Sequence, residues 1–505
     1  MTALLHDALA AHPNETDALG APDRPTMTYG QLRALVATTG ATLNALGIGR
    51  NDRVAIVLPN GPEMAAAFVA IAGAATTAPL NPAYRADEFR FYLEDLNAKA
   101  LIVQAGEDSP AIEVAQTLGI AVVTLTPNIA APAGTFTLDG PVAGAAASVG
   151  TAQADDVALV LHTSGTTSRP KIVPLTHTNI AASARNIAAT LRLGTEDRCL
   201  NIMPLFHIHG LIAAVSASLV AGASVHCTPG FNALRIFGWF EAIAPTWYTA
   251  VPTMHQAILS RAVRNKDVVA RMGLRFIRSS SSSLPPPVMQ GLETLFGVPV
   301  IESYGMTEAS HQMTSNQLPP GDRKPGSVGA AAGPEVAIMD PAGTILAVGE
   351  TGEIVIRGEN VTSGYENNPE ANAAAYTGGW FRTGDQGFLD ADGFLTISGR
   401  LKEIINRGGE KIAPLEVDNV LMEHAAVAQA VTFAVPHDKL GEDVAAVVVL
   451  REDAVTDEKT LRTFVGEHLT DFKVPRRIVI VDEIPKGATG KVQRIGLAKR
   501  LGLAE

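Results

Sequence analysis

Apolar and polar residues alternate along this chain in short blocks. Residues 54–58 (VAIVL) are an apolar run closed by PNG, which predicts a buried strand ending in a turn. Residues 63–75 are alanine-rich and predict a helix, 88–96 a second helix, and 100–103 another strand. That alternation is the signature of an α/β fold with a largely parallel sheet covered by helices. Residues 124–150, rich in Ala, Gly and Pro, read as a loop or loose connection. Strands are expected at 157–161, 173–175, 247–251, 274–278 and 300–303, and a helix from about Ile180, capped by Thr178 or Asn179. From 326 to 400 the pattern changes. Short β-branched runs such as GEIVIRG and GFLTISG alternate with glycine turns, which predicts a smaller antiparallel sheet or distorted barrel. Beyond residue 400, helices at 417–423 and 456–469 flank strands at 427–435 and 444–450, enough for a small α+β domain. The expected division is a large domain over 1–400 and a small one over 401–505.

Composition adds limits. With 505 residues, 47% hydrophobic and 18% charged, the chain has material for several packed subdomains and is not disordered. A net charge of -12 speaks against a general nucleic-acid partner, though not against a basic pocket for a small anion. Two cysteines, Cys199 and Cys227, cannot supply a disulfide framework, and a cytoplasmic setting is expected. The opening MTALLHDALAAHP does not read as a secretory signal. The most membrane-like window, 64–80, is interrupted by Gly73, Thr76, Thr77 and Pro79, so no membrane insertion is expected.

The candidate chemistry starts at LHTSGTTSRPKIVPLTHTN, residues 161–179. A strand followed by a Ser/Thr/Gly loop and a lysine can cradle phosphate through backbone N–H groups, hydroxyls and a mobile cation. It lacks the GxxxxGK[ST] spacing of a P-loop, and an exposed polar turn remains open on these residues alone. Further on, Asp385 alone reads as a turn aspartate, Glu308 as a helix cap near Ala309, and Lys491 as a solvated lysine.

Taken together the picture changes. TSGTTSRPK at 163–171, YGMTEA at 304–309, GWFRTGD at 379–385, GRLKEIINRGGEKI at 399–412 and PKGATGKVQR at 485–494 resemble, in order, the motifs of the adenylate-forming acyl-CoA synthetase superfamily. The resemblance implies an adenylation domain followed by a small mobile domain. It also implies two half-reactions: a carboxylate joins AMP with release of pyrophosphate, then the acyl group passes to coenzyme A. ATP, Mg2+ and coenzyme A are implied with it, as are a small-molecule acid and a monomer or homodimer. By the same resemblance Thr163, Ser164, Gly165, Thr166, Thr167 and Lys171 handle the β/γ-phosphates, and Tyr304 flanks adenine. Thr307 meets the α-phosphate, Glu308 helps hold Mg2+, and Asp385 takes the ribose hydroxyls with Arg400 supporting it. Lys491 spans carboxylate and α-phosphate, Lys402 is the hinge, and Gly408 and Gly409 lie along the pantetheine arm unless they only turn a hairpin. One departure is Ile172, where a glycine commonly follows the lysine. A β-branched residue there stiffens the chain.

The same resemblance implies that LFHIHGL at 205–211 and the residues just after YGMTEA line the acyl pocket, which puts His207, His209 and His311 there with Ser280 nearby. Histidines and hydroxyls suit a second carboxylate better than an alkyl tail, since each buried methylene is worth about 0.8 kcal/mol only against apolar walls. His207 has a possible separate task in closing the acyl channel. PLFHIHGL, WYTAVPTMHQ, FIRSSSSSL and YGMTEASHQM further resemble the oxalate–CoA ligase group. Oxalate is therefore the expected acid. Malonate or another short dicarboxylate, or a medium-chain fatty or aryl acid, is the alternative, and an AMP-binding scaffold the non-enzymatic one.

Overall fold

The apolar run Arg53–Val57 is a strand with its last four residues buried, and it sits at the centre of a seven-stranded sheet. Its neighbours Ala100–Gln104 and Thr76–Pro79 run parallel to it, as continuous apolar runs buried on both faces do. The computed structural model describes residues 5–146, 148–163, 170–485 and 493–504. A second, nine-stranded sheet is parallel through its middle, where Trp247–Ala250, Phe276–Ser279 and Val300–Met306 lie side by side. Helix Pro62–Ala72 touches strands of both sheets, and every residue in it except Glu63 is buried. The membrane-like window is thus core between two sheets. No helix among the described residues is long and apolar enough to cross a membrane. Phe68, Trp247 and Phe276 are fully buried in the same core, where truncating one aromatic to Ala costs about 3–5 kcal/mol.

Two expectations need correction. Residues 124–150 are not all loop: Ala121–Pro127 and Phe136–Asp139 form an antiparallel pair at the sheet edge. Pro132 and Gly134, which contributed to the loop reading, belong to the connection between these strands, where Gly134 has φ 83°. The helix expected near Ile180 begins earlier, at His177–Thr190. Thr176 is its cap and Asn179 closes the capping box from the third position.

The third sheet is antiparallel, built from Glu335–Met339, Gly352–Arg357, Tyr376–Thr377, Trp380–Leu389 and Leu395–Arg400. After it the chain enters a smaller α+β unit. Long strands Val427–His437 and Gly441–Leu450 pair over their whole length, with helices Pro414–Glu423 and Glu458–His468 beside them. This unit has apolar clusters of its own, around Leu421, Val444 and Leu461 and around Phe433 and Leu497. The architecture is a large N-terminal α/β domain and a smaller C-terminal α+β domain. The Gln256 amide reaches from the large domain to the Ala428 carbonyl of the small one at 3.3 Å.

Candidate active site

Parallel strands present their carboxyl ends together, and ligands of open α/β sheets bind there. At that edge Thr249 and Arg278 are register partners. His209 opens a π-helix, His209–Ser216, packed over the same strands. Gly210 follows it because a Cβ there would stand 2.5 Å from the Pro204 carbonyl oxygen. The His209 ring is fully buried, with Nε2 2.6 Å from the Thr249 hydroxyl and Nδ1 2.9 Å from the Ser281 hydroxyl. His311 meets it edge to face, ring centroids 5.0 Å apart. His207 accepts the His209 backbone N–H at 3.3 Å.

Ser281 and His311 have φ of 72° and 100°, values that disfavour a side chain and cost about 1–3 kcal/mol each. The strain is concentrated beside His209. Ser280 does not join this group: its hydroxyl donates to the Ser303 carbonyl at 2.9 Å, and Ser281 faces the histidine instead. Both serines lie past the end of strand Phe276–Ser279, and the left-handed backbone at Ser281 redirects its side chain.

The sequence reading missed Arg278. Its side chain is fully buried, and it forms no ion pair with a carboxylate among the described residues. Nη1 lies 3.5 Å from His209 Nε2 and 3.4 Å from the Thr249 hydroxyl, and Nη2 lies 3.4 Å from the Gln312 amide oxygen. Nε has no partner. Burial pushes the guanidinium down to about 9, so it stays charged at neutral pH. The sequence reading placed it only as the last residue of the expected strand 274–278. The only local signal was its place in a short strand whose residues are all buried.

A second group lies where strand Val300–Met306 gives way to the short helical turn Thr307–Ala309. Glu308, 5% exposed, accepts the Tyr365 hydroxyl at 2.8 Å, and the Lys171 ammonium stands 4.3 Å over the Tyr365 ring. Burial raises the Glu308 carboxyl above its ordinary value, while Tyr365, Lys171 and Arg400 pull it back. Tyr304 donates its hydroxyl to Asp385, whose other oxygen lies 3.4 Å from Arg400 Nε. Burial raises Asp385 too, against Arg400 and Tyr304. No group of three or more His, Cys, Asp or Glu able to hold a metal occurs among the described residues. A lone buried carboxylate suits Mg2+ that takes its remaining ligands from water and phosphate oxygens.

Thr163 ends strand Val157–Thr163 opposite Lys171. Ile172, beside Lys171, is a buried strand residue packed with Phe89 and Val160, so the substitution for glycine falls in sheet. Ser164, Gly165, Thr166 and Thr167 lie outside the described residues, as does Lys491. Lys402 occupies the turn Leu401–Glu403 and is exposed. Gly408 and Gly409, with φ of 60° and 103°, form the two-residue turn of a hairpin that closes on the Leu440 carbonyl. In the small domain Arg407 and Lys473 are paired with Asp443 and Glu416. Arg494 was also overlooked. It pairs with Glu403 of the turn Leu401–Glu403 and with Asp418, and donates to the Thr432 carbonyl at 2.9 Å.

A buried acid beside a lysine and a second acid beside a tyrosine, in an α/β domain that carries a small partner domain, fit an adenylate-forming enzyme. The model of the AMP-binding enzyme family matches residues 5–366, and that of the AMP-binding enzyme C-terminal domain matches 416–491. The chain is 46% identical to a probable CoA ligase, CCL9, from Humulus lupulus, over 98% of this chain and 95% of that one. It is 45% identical to an oxalate–CoA ligase of Arabidopsis thaliana, over 98% and 97%. ATP-bound MatB from Rhodopseudomonas palustris superposes with a TM-score of 0.88 at 29% identity, covering 99% of both chains. The chain belongs to the AMP-binding enzyme family, among the adenylate-forming acyl-CoA synthetases. It is an ATP- and CoA-dependent acid–thiol ligase that forms an acyl adenylate and then an acyl-CoA, and it uses ATP, Mg2+ and coenzyme A.

Proposed function

We propose that this ligase activates oxalate, forming oxalyl-AMP and then oxalyl-CoA. The carrying observation is the pair of buried histidines, His209 and His311, with the half-buried Ser281 beside them at the carboxyl end of the central strands. These are hydrogen-bonding groups where an alkyl chain would need apolar walls. The Arabidopsis relative named for oxalate supports the same reading.

The roles follow from the chemistry. In adenylation a carboxylate oxygen of the acid attacks the α-phosphorus and pyrophosphate leaves. Thr163, the loop 164–167 and Lys171 hold the departing β/γ-phosphates. Thr307 meets the α-phosphate, and Glu308 holds Mg2+, which screens the phosphate charge. Asp385, buried and already accepting one hydroxyl, is suited to take the ribose diol, with Arg400 beside it and Tyr304 against the base. Lys491 supplies the cation between the carboxylate and the α-phosphate as charge spreads in the transition state. In the second half-reaction the coenzyme A sulfur attacks the acyl carbonyl and AMP leaves. The domain boundary falls at 400/401 and Lys402 is the pivot. The Gly408–Gly409 turn offers a bare backbone to the pantetheine arm, and His207 closes the acyl channel. A cytoplasmic monomer or homodimer fits this role.

The test is pyrophosphate release with coenzyme A present, across oxalate, malonate, acetate, octanoate and 4-coumarate. Oxalate is expected to give the highest kcat/KM. A clear win for octanoate overturns the reading of the histidines.

A further inference from the structure

Arg278 is an energetic anomaly. A buried cation is normally paired, because an unpaired charge loses its hydration without compensation. Here the guanidinium is fully buried, and its neighbours are two neutral oxygens, from Thr249 and Gln312, and the imidazole of His209. None of the three contacts is shorter than 3.4 Å, and Nε is left without a partner. Replacing such a group by an apolar one of similar size commonly costs nothing or stabilises. Retained for stability alone, it makes little sense. It makes sense if the missing counter-charge arrives with the ligand.

We infer that Arg278 is the positioning and selectivity residue for the second negative charge of the acid, acting through His209. This deepens the oxalate reading and rests on it. The guanidinium only donates hydrogen bonds and lies against both the Thr249 oxygen and His209 Nε2, so Thr249 donates its hydroxyl to Nε2 at 2.6 Å and the ring proton sits on Nδ1. Nδ1–H then donates to the Ser281 oxygen at 2.9 Å, which leaves the Ser281 hydroxyl hydrogen to be donated into the pocket. Arg278 thereby does two things. It fixes a relay that ends in a hydrogen-bond donor for a carboxylate, and it holds a positive charge one imidazole away from that carboxylate. At low local dielectric this favours a dianionic acid over a monoanionic one of the same shape. A purely structural arginine would favour neither.

Oxamate, in which one carboxylate of oxalate becomes a neutral amide, is the discriminating probe. Pyrophosphate release is measured for oxalate and oxamate in wild type, Arg278→Met and Gln312→Glu. The first variant removes the charge at nearly constant volume. The second places a carboxylate beside Nη2 and cancels the charge without removing the arginine, so the question stays answerable if Arg278→Met does not fold. Wild type is expected to prefer oxalate. In both variants the ratio of kcat/KM for oxalate to that for oxamate should fall at least about thirtyfold, the smallest factor expected when one partner of a buried charge pair is lost. Arg278→Lys should restore part of it. An unchanged ratio, with both acids slowed equally, overturns the inference and leaves a structural arginine. Failure of wild type to use oxalate would instead overturn the oxalate reading. The charge effect is then read on malonate and its monoamide, where an unchanged ratio again overturns it.

Discussion

The two halves of the site handle charge in opposite ways. On the nucleotide side each acid already faces a cation or a donor: Glu308 has Tyr365 and Lys171, and Asp385 has Tyr304 and Arg400. On the acid side a buried arginine and two histidines gather with serine and threonine hydroxyls, and no carboxylate pairs with the arginine among the described residues. The first half is close to balanced before ATP arrives, as suits a machine that must bind, release and bind again. The second is left positive, so it gains most from an anion. Common chemistry sits in the balanced half and selectivity in the unbalanced one.

The largest separation of the two should come from Lys491→Ala. It should slow adenylation by roughly 10²–10³-fold for every acid, and spare thioester formation from a supplied acyl adenylate. Equal loss in both half-reactions would remove the division of labour. Next, Asp385→Asn should raise the KM for ATP about tenfold or more, whichever acid is used, because a hydrogen bond to a charged acceptor is lost. An acid-dependent effect would blur the two halves. His311→Ala should do the reverse, raising the KM for oxalate about tenfold with the KM for ATP unchanged.

The smallest effect concerns stability. Glu302 lies beneath the serine loop and accepts the Leu284 N–H at 2.8 Å. Burial pushes its carboxyl up to about 8. The native state therefore holds that proton more tightly than the unfolded chain. Stability should be highest below the ordinary glutamate range and decline as pH rises toward 8. Glu302→Gln should flatten this decline, whose slope is at most about 1.4 kcal/mol per pH unit, in denaturant melts between pH 5 and pH 8. A slope unchanged by the substitution would show that another group sets it.

The unequal legibility of the two halves follows from the same division. Lys171, Tyr304, Glu308 and Asp385 lie in short motifs whose order along the chain carries meaning, so their neighbourhoods were legible in the sequence. The acid side is assembled from the π-helix at His209, the ends of separate strands and a turn with positive φ. No local pattern distinguishes Ser281 from Ser280, since five consecutive serines hide the register and only the strand end decides which hydroxyl faces His209. Arg278 was invisible for a related reason: sequence places a charge, but burial is a property of the packed fold. The fold itself was more open to reading, because apolar runs such as 54–58 and 100–103 are bracketed by turns. The edge pair at 121–139 escaped because its connection carries a proline and a glycine, Pro132 and Gly134, as a loop does.

The π-helix at His209–Ser216 carries a consequence for how such an enzyme changes its diet. A π-turn holds more residues than an α-turn, and a segment of this kind keeps its register only while the extra residue is present. Each residue of an α-helix turns the chain by about 100°. Deleting a single residue here would relax the segment toward the commoner helix and swing whatever stands at its head through a comparable angle. His209 would leave the Thr249 and Ser281 hydroxyls in one step, and a different side chain would look into the pocket. The loss of one codon would therefore remodel the acid side without touching the ATP side at all.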